Sequence, residues 1–206
     1  MLLSHKKKFI FIHLYKTGGT SLRKMLEQYD ANYSLYYRAK GMLTQNPVLH
    51  TKGIHKHAKA VEVRDFVGKA IFDNYFTFIF VRNPWDWQVS LYHFVKKDPT
   101  NQHHDLINSF NGFDEYIEWR CAEDAKFQRD FVVDENGEQI VDFIGRKERL
   151  NEDFQHICAK IGIPGKQVPH LNQSVSTSYR DFYNDHTRNL VGDTFKADVD
   201  FFGYDF

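Results

Sequence analysis

Phe9-Ile10-Phe11-Ile12-His13-Leu14-Tyr15-Lys16-Thr17-Gly18-Gly19-Thr20-Ser21 is the stretch that decides the fold. Lys8–Leu14 is a short run of apolar, β-branched and aromatic residues, of the kind that a buried strand needs. Gly18-Gly19 breaks the run, and Ser21–Tyr29 then carries Leu22, Met25, Leu26 and Tyr29 at helical spacing. The pattern predicts a strand, a tight turn and a helix. Phe76–Val81 opens a second such unit, with Asn83 as helix cap, Pro84 as first helical residue and Trp85–Val95 as helix. Further along, Asn136-Gly137 between Arg129–Val133 and Gln139–Ile144 predicts a β-hairpin. Leu150–Ile161 places Leu150, Phe154, Ile157 and Ile161 on one helical face, and Arg180–Leu190 reads as a further helix. Lys96–Asn111 is polar without a period and reads as a mobile surface loop. Strands alternating with helices imply an α/β fold with a mostly parallel sheet flanked by helices. With 206 residues and no repeat or linker, the chain is expected to form a single domain over 1–206.

Composition narrows the function. Lys+Arg 27 balance Asp+Glu 27, so no basic excess marks a general nucleic-acid coat, although a local basic pocket is compatible with zero net charge. Cys121 and Cys158 lie far apart and outside any CxxC, as expected of two buried, reduced thiols. No segment approaches the roughly 20 apolar residues of a membrane-spanning helix. Lys6, Lys7 and Lys8 precede an apolar run too short for a secretory leader, and Lys16 and Arg23 follow it. A soluble, cytoplasmic protein is expected.

The loop after the first strand has the makings of an anion cradle. Two glycines let the backbone approach an anion, and a helix N-terminus offers N–H donors and partial positive charge. Lys16 adds a full charge, and Thr17, Thr20 and Ser21 add hydroxyls. The order differs from the nucleoside-triphosphate loop GxxxxGK[ST], since here the lysine precedes the glycines. The plain alternative is a tight turn with a Ser/Thr cap. The other informative stretch is Val81-Arg82-Asn83-Pro84-Trp85-Asp86-Trp87-Gln88-Val89-Ser90. A guanidinium at the strand end and a hydroxyl two turns into the helix can converge on one phosphate. Alone, Arg-Asn-Pro is a strand exit followed by a helix cap.

Together the two stretches resemble the sulfotransferases that use 3′-phosphoadenosine-5′-phosphosulfate (PAPS). The nearest group is sulfotransferase family 2, with the Golgi carbohydrate sulfotransferases and their bacterial relatives. Phe143-Ile144-Gly145-Arg146 and the ending Asp200-Phe201-Phe202-Gly203-Tyr204-Asp205-Phe206 are similar to that family as well. The resemblance implies a P-loop-NTPase-like fold and transfer of a sulfuryl group to a hydroxyl, on a saccharide or glycolipid acceptor, without a metal. Lys16, Thr17, Gly18, Gly19, Thr20 and Ser21 would hold the 5′-phosphosulfate, with Lys16 stabilising charge on the leaving oxygen. Arg82 and Ser90 would hold the 3′-phosphate, and Gly145 and Arg146 would also contact the nucleotide.

Sulfuryl transfer to a hydroxyl benefits from a general base. His50, His55 and His57 cluster between the two loops. Lys56-His57-Ala58 resembles the Gly-His segment that carries the base in uronyl-sulfotransferase relatives, with Lys56 in place of the glycine. His57 is therefore the expected base, and Glu62 and Asp65 are the fallback carboxylates. His55/His57 and His103-His104 have no third ligand at metal-binding spacing. Trp85, Trp87, Trp119 and Tyr116 offer flat faces to a sugar or adenine, with core packing as the plainer reading. The rival functions are a P-loop kinase of a small metabolite, a non-catalytic nucleotide-binding module and an RNA-binding protein. The kinase needs Gly-Lys-Ser/Thr and an acidic strand end for Mg²⁺, where this chain has Arg82.

Overall fold

The computed structural model describes residues 1–30, 53–168 and 178–206. β1 (Leu2–Ser4), β2 (Phe9–Ile12), β3 (Phe76–Val81) and β4 (Phe143–Arg146) form one sheet in the order β1-β2-β3-β4. β2, β3 and β4 run parallel, and β1 is an antiparallel edge on β2. The register sets Ile12 opposite Ile79 and Val81 opposite Arg146. All four residues of β2 are buried, as expected of a parallel strand covered on both faces.

The described chain gathers into two compact units. The first holds the sheet and comprises residues 1–81 and the described chain from Asp130 to Val168. Its helices are α1 (Gly19–Leu26), α2 (Ala60–Val67), α3 (Lys69–Asn74) and α7 (Leu150–Ile161). Leu22 and Leu26, one turn apart on α1, meet Phe9, Phe11, Phe78 and Phe80 of the sheet, with Phe154 and Ile157 of α7 in the same core. Phe11 and Phe78 stack at 5.2 Å. Each such ring contributes about 1.5–3 kcal/mol by leaving water.

The second unit comprises residues 82–129 and 178–206. It contains α4 (Pro84–Lys97), α5 (His104–Ser109), α6 (Phe113–Glu123), α8 (Asp185–Thr194) and α9 (Lys196–Phe202). Trp85, Tyr92, Tyr116, Val191 and Phe195 form its core. Trp85 Nε1 donates to the Arg188 carbonyl at 2.9 Å, so the indole spends its one donor inside the unit. Asn83 caps α4 as expected, its Oδ1 accepting from Trp85 N at 3.0 Å and Asp86 N at 3.4 Å, with Pro84 in the first turn.

Three sequence expectations change. The hairpin at Asn136-Gly137 shrinks to one antiparallel bridge, Val133 with Gln139, and Arg129–Phe131 is a 3-10 turn. Its second arm goes to β3 instead, because Asp142 Oδ2 accepts from Thr77 N at 2.7 Å and Thr77 Oγ1 at 2.8 Å, which feeds Phe143 into the parallel register. The stretch 96–111 is not all loop: α4 runs to Lys97, and α5 forms with Ile107 buried as its anchor. The helix expected over 180–190 starts later, at Asp185, where Asn184 and Thr187 form a capping box; Tyr179–Phe182 is a 3-10 turn. Among the described residues, no helix is long and apolar enough to cross a membrane.

Candidate functional site

Beyond Ile12 the chain turns sharply into α1. Lys16 at φ 65 and Gly18 at φ 87 both adopt the left-handed conformation. A lysine held there costs about 1–3 kcal/mol, a strain that concentrates at ligand clamps. Thr17 is buried, and its Oγ1 donates to the Leu14 carbonyl at 2.9 Å, closing the turn. Ser21 N and Leu22 N reach back to the Gly18 carbonyl at 3.1 and 3.3 Å, which starts the helix. Gly18 caps α1 without a side-chain hydrogen bond, and no acidic residue stands in the first turn. Gly18 thus supplies no capping oxygen, and the first turn sets no carboxylate against the positive end of the helix dipole. Thr20 is exposed and Ser21 buried at this end.

The two glycines are required for different reasons. Gly18 needs its left-handed φ, and a Cβ there would also touch Leu150 Cδ2 and Lys147 Cδ at 3.2 Å. Gly19 has an ordinary φ, but a Cβ would stand 2.1 Å from His13 Cδ2 and Nε2. Gly19→Ala is expected to lower stability by about 1–3 kcal/mol, the usual cost of overpacking, and a thermal melt checks it. Lys147 went unnoticed in sequence, although it directly follows Gly145-Arg146. Its aliphatic stem lies beside Gly18 and adds a second lysine to this end of α1.

His57 lies in the same unit, half-buried. Its Nδ1 is 2.7 Å from the His13 carbonyl oxygen. A carbonyl only accepts, so Nδ1 carries the proton and Nε2 keeps its lone pair. Burial pushes the His57 pKa below the ordinary histidine value; the bond to His13 opposes the shift, and Lys56, the Met1 amino group and His55 add to it. His55 Nδ1 accepts from His57 N at 3.1 Å. His50 lies outside the described residues. Of the fallback carboxylates, Glu62 accepts from Lys59 N at 2.6 Å and caps α2, whereas Asp65 pairs with Arg64 at 3.5 Å.

Arg82 and Ser90 belong to the second unit. Gln128 clamps the Arg82 backbone, its Oε1 accepting from Arg82 N at 3.0 Å and its Nε2 donating to Arg82 O at 2.7 Å. The guanidinium forms a two-pronged pair with Asp86, at 2.6 Å from Nε and 2.7 Å from Nη2. Asp86 was missed in the sequence, although its i,i+4 spacing from Arg82 is visible there. Ser90 follows one turn further along α4, buried on the same face as Asp86. Gly145 lacks a side chain for a packing reason, since a Cβ would lie 2.6 Å from Phe80 Cε1. Arg146 N donates to Asp153 Oδ2 at 2.6 Å, which fixes the exit of β4 onto α7.

Trp85, Trp87 and Tyr116 are buried, so their faces serve the core, whereas Trp119 is half-buried against the His103 ring at 5.1 Å. Cys158 is buried, Cys121 half-buried, and both thiols are free. Among the described residues, no group of three or more His, Cys, Asp or Glu is arranged to hold a metal.

A family model described as "Sulfotransferase family" matches residues 1–205. The chain belongs to the sulfotransferase family. An uncharacterized protein of Archaeoglobus fulgidus is 36% identical over 120 residues, which is 57% of this chain and 93% of that protein. No solved structure matches. The family assignment carries two things: the P-loop-like α/β fold and sulfuryl transfer as the general activity. Sulfotransferases generally take PAPS as donor. The N-terminus of α1 suits such an anion, because its N-cap glycine supplies no capping oxygen, it has no acid in its first turn, and Lys16 and Lys147 stand beside it.

Proposed function

We propose that this sulfotransferase moves the sulfuryl group of PAPS to a hydroxyl of a saccharide or glycolipid, without a metal. The glycine-capped N-terminus of α1, with no acid in its first turn and a left-handed Lys16 before it, carries this reading. PAPS supplies the activated sulfuryl group when bound. The amides opening α1, with the hydroxyls of Thr20 and Ser21, hold the 5′-phosphosulfate, and Thr17 keeps the turn closed. Lys16 stabilises the negative charge that grows on the leaving phosphate oxygen. His57 accepts the proton of the acceptor hydroxyl at Nε2, which its bond to the His13 carbonyl leaves unprotonated. Arg82 and Ser90 are assigned the 3′-phosphate, and Arg146 a further nucleotide contact at the exit of β4. The catalysis is positioning and electrostatics.

A panel of oligosaccharides and glycolipids with PAPS, followed by release of 3′-phosphoadenosine-5′-phosphate, tests this. Acceptor-dependent release that Lys16→Ala abolishes is expected. Nucleotide binding without release across the panel would favour a binding module, and turnover of ATP with Mg²⁺ would favour a kinase.

Arg82→Ala separates the two phosphate sites. Removing a charge-assisted contact of about 1.5–3 kcal/mol should weaken binding roughly ten- to 150-fold. The loss is expected for 3′-phosphoadenosine-5′-phosphate and not for adenosine 5′-phosphate, as read by calorimetric titration. An equal loss for both ligands would make Arg82 a brace for Asp86 instead.

A further inference from the structure

His13 stands between two parts of the first unit that the proposed reaction uses. Its carbonyl accepts the Nδ1 proton of His57 at 2.7 Å, and the two rings meet edge-on with centroids 4.7 Å apart. The same His13 ring fills the space beside Gly19, the first residue of α1, where a methyl group would stand 2.1 Å from Cδ2 and Nε2. It also stacks on Phe11 of β2 at 5.6 Å and 21°, so the sheet core holds it in place. The side chain is 3% exposed, and its Nδ1 has no hydrogen-bond partner among the described residues. An unpaired buried polar atom costs about 1–3 kcal/mol, and stability given up at one spot in a core calls for a reason.

We propose that His13 is a positioning residue: its carbonyl sets the tautomer of His57, and its ring keeps that base in fixed register with the N-terminus of α1. The inference rests on His57 serving as the acceptor base. It explains why a histidine of ordinary sequence context is wedged against the anion loop. Burial, with His57 as the next cause, lowers the His13 pKa to about 2, so His13 stays neutral while His57 titrates. Among the described residues, the titratable groups facing His57 are His13, Tyr15 and His55, with Lys56 and the Met1 amino group, itself lowered to about 5 by burial, close enough to act on it. The His13 ring covers one face of His57, so its loss is expected to weaken the burial that is the largest cause of the lowered His57 pKa.

Three measurements test the proposal. Nitrogen-15 NMR of the histidine-labelled wild-type protein is expected to show His57 protonated at Nδ1 and bare at Nε2 above its pKa. His13→Ala is expected to lower turnover by about 10–100-fold, by analogy with losing the partner that orients a metal-ligating histidine. Its acidic limb should move up towards ~6.5, the value of an exposed histidine. The paired variant His13→Ala/Gly19→Ala should recover the melting temperature lost in Gly19→Ala, because the methyl group now has room. A merely structural His13 would leave the acidic limb of the folded His13→Ala protein where it lies in the wild type; a positioning His13 leaves it displaced. A wild-type His57 protonated at Nε2 alone would overturn the proposal, and so would an unchanged limb in a folded His13→Ala protein. If no sulfuryl transfer occurs at all, the tautomer and the size exchange still report on His13. Failure of the reaction is thus distinguished from failure of the positioning role.

Discussion

Replacing His57 by alanine is expected to lower turnover by about 10²–10⁴-fold, the range for loss of a general base. Nucleotide affinity should stay near that of the wild type, because the proposed partner of Nε2 is the acceptor hydroxyl. The pH profile carries the sharper signature. Only the neutral imidazole accepts a proton, so with His57 as the base the wild-type rate should fall as the pH drops through its folded pKa. Burial places that pKa below the ordinary value of ~6.5. The acidic limb should therefore lie lower than that of an exposed histidine, and His57→Ala should remove it. Near wild-type turnover with the limb intact would transfer the role to another group. Asp65 would be tested next, ahead of Glu62, whose carboxylate is already committed to the first turn of α2.

Lys16→Met should lower turnover by about 10²–10³-fold with every acceptor, the scale of losing one preorganised donor to a developing oxyanion. Methionine keeps much of the stem and removes the charge. Nucleotide binding should weaken as well, since the ammonium is proposed to face the bound phosphate too. Lys16→Gly is the useful companion, because glycine relieves the left-handed backbone at φ 65. If both variants lose turnover alike, the charge is what matters. Retained turnover in Lys16→Met would point to Lys147, whose stem lies beside Gly18, as the cation at the leaving oxygen.

Much of the first unit was legible because its elements are both long enough and locally consistent. Phe76–Val81 and Leu150–Ile161 form over the residues that apolar runs and helical spacing indicated. Asn83-Pro84 starts α4 because cap chemistry is local. The failures have non-local causes. Asn136-Gly137 does make a turn, with Gly137 at φ 81, but Asp142 binds Thr77 and assigns the following strand to β3. α5 carries one buried apolar residue, Ile107, too few to show a period. α2, α3, α6, α9 and the edge strand β1 were not anticipated, being short or weakly amphipathic. At the candidate site, the glycine turn from β2 into α1 was readable from residue type and order. The His13 carbonyl that orients His57, the ring behind Gly19 and the Asp86 partner of Arg82 were not, since backbone acceptors and close approaches leave no mark in residue identity.

The central claim is that this sulfotransferase takes a donor with two separated phosphate groups. Its most direct test is a thermal melt of the wild-type protein with 3′-phosphoadenosine-5′-phosphate and, separately, with ATP and Mg²⁺. At 100 times its dissociation constant the first ligand should stabilise the fold by about 2.7 kcal/mol. ATP with Mg²⁺ at the same concentration should raise the melting temperature far less. Equal shifts from the two nucleotides, or a larger one from ATP with Mg²⁺, would contradict the account.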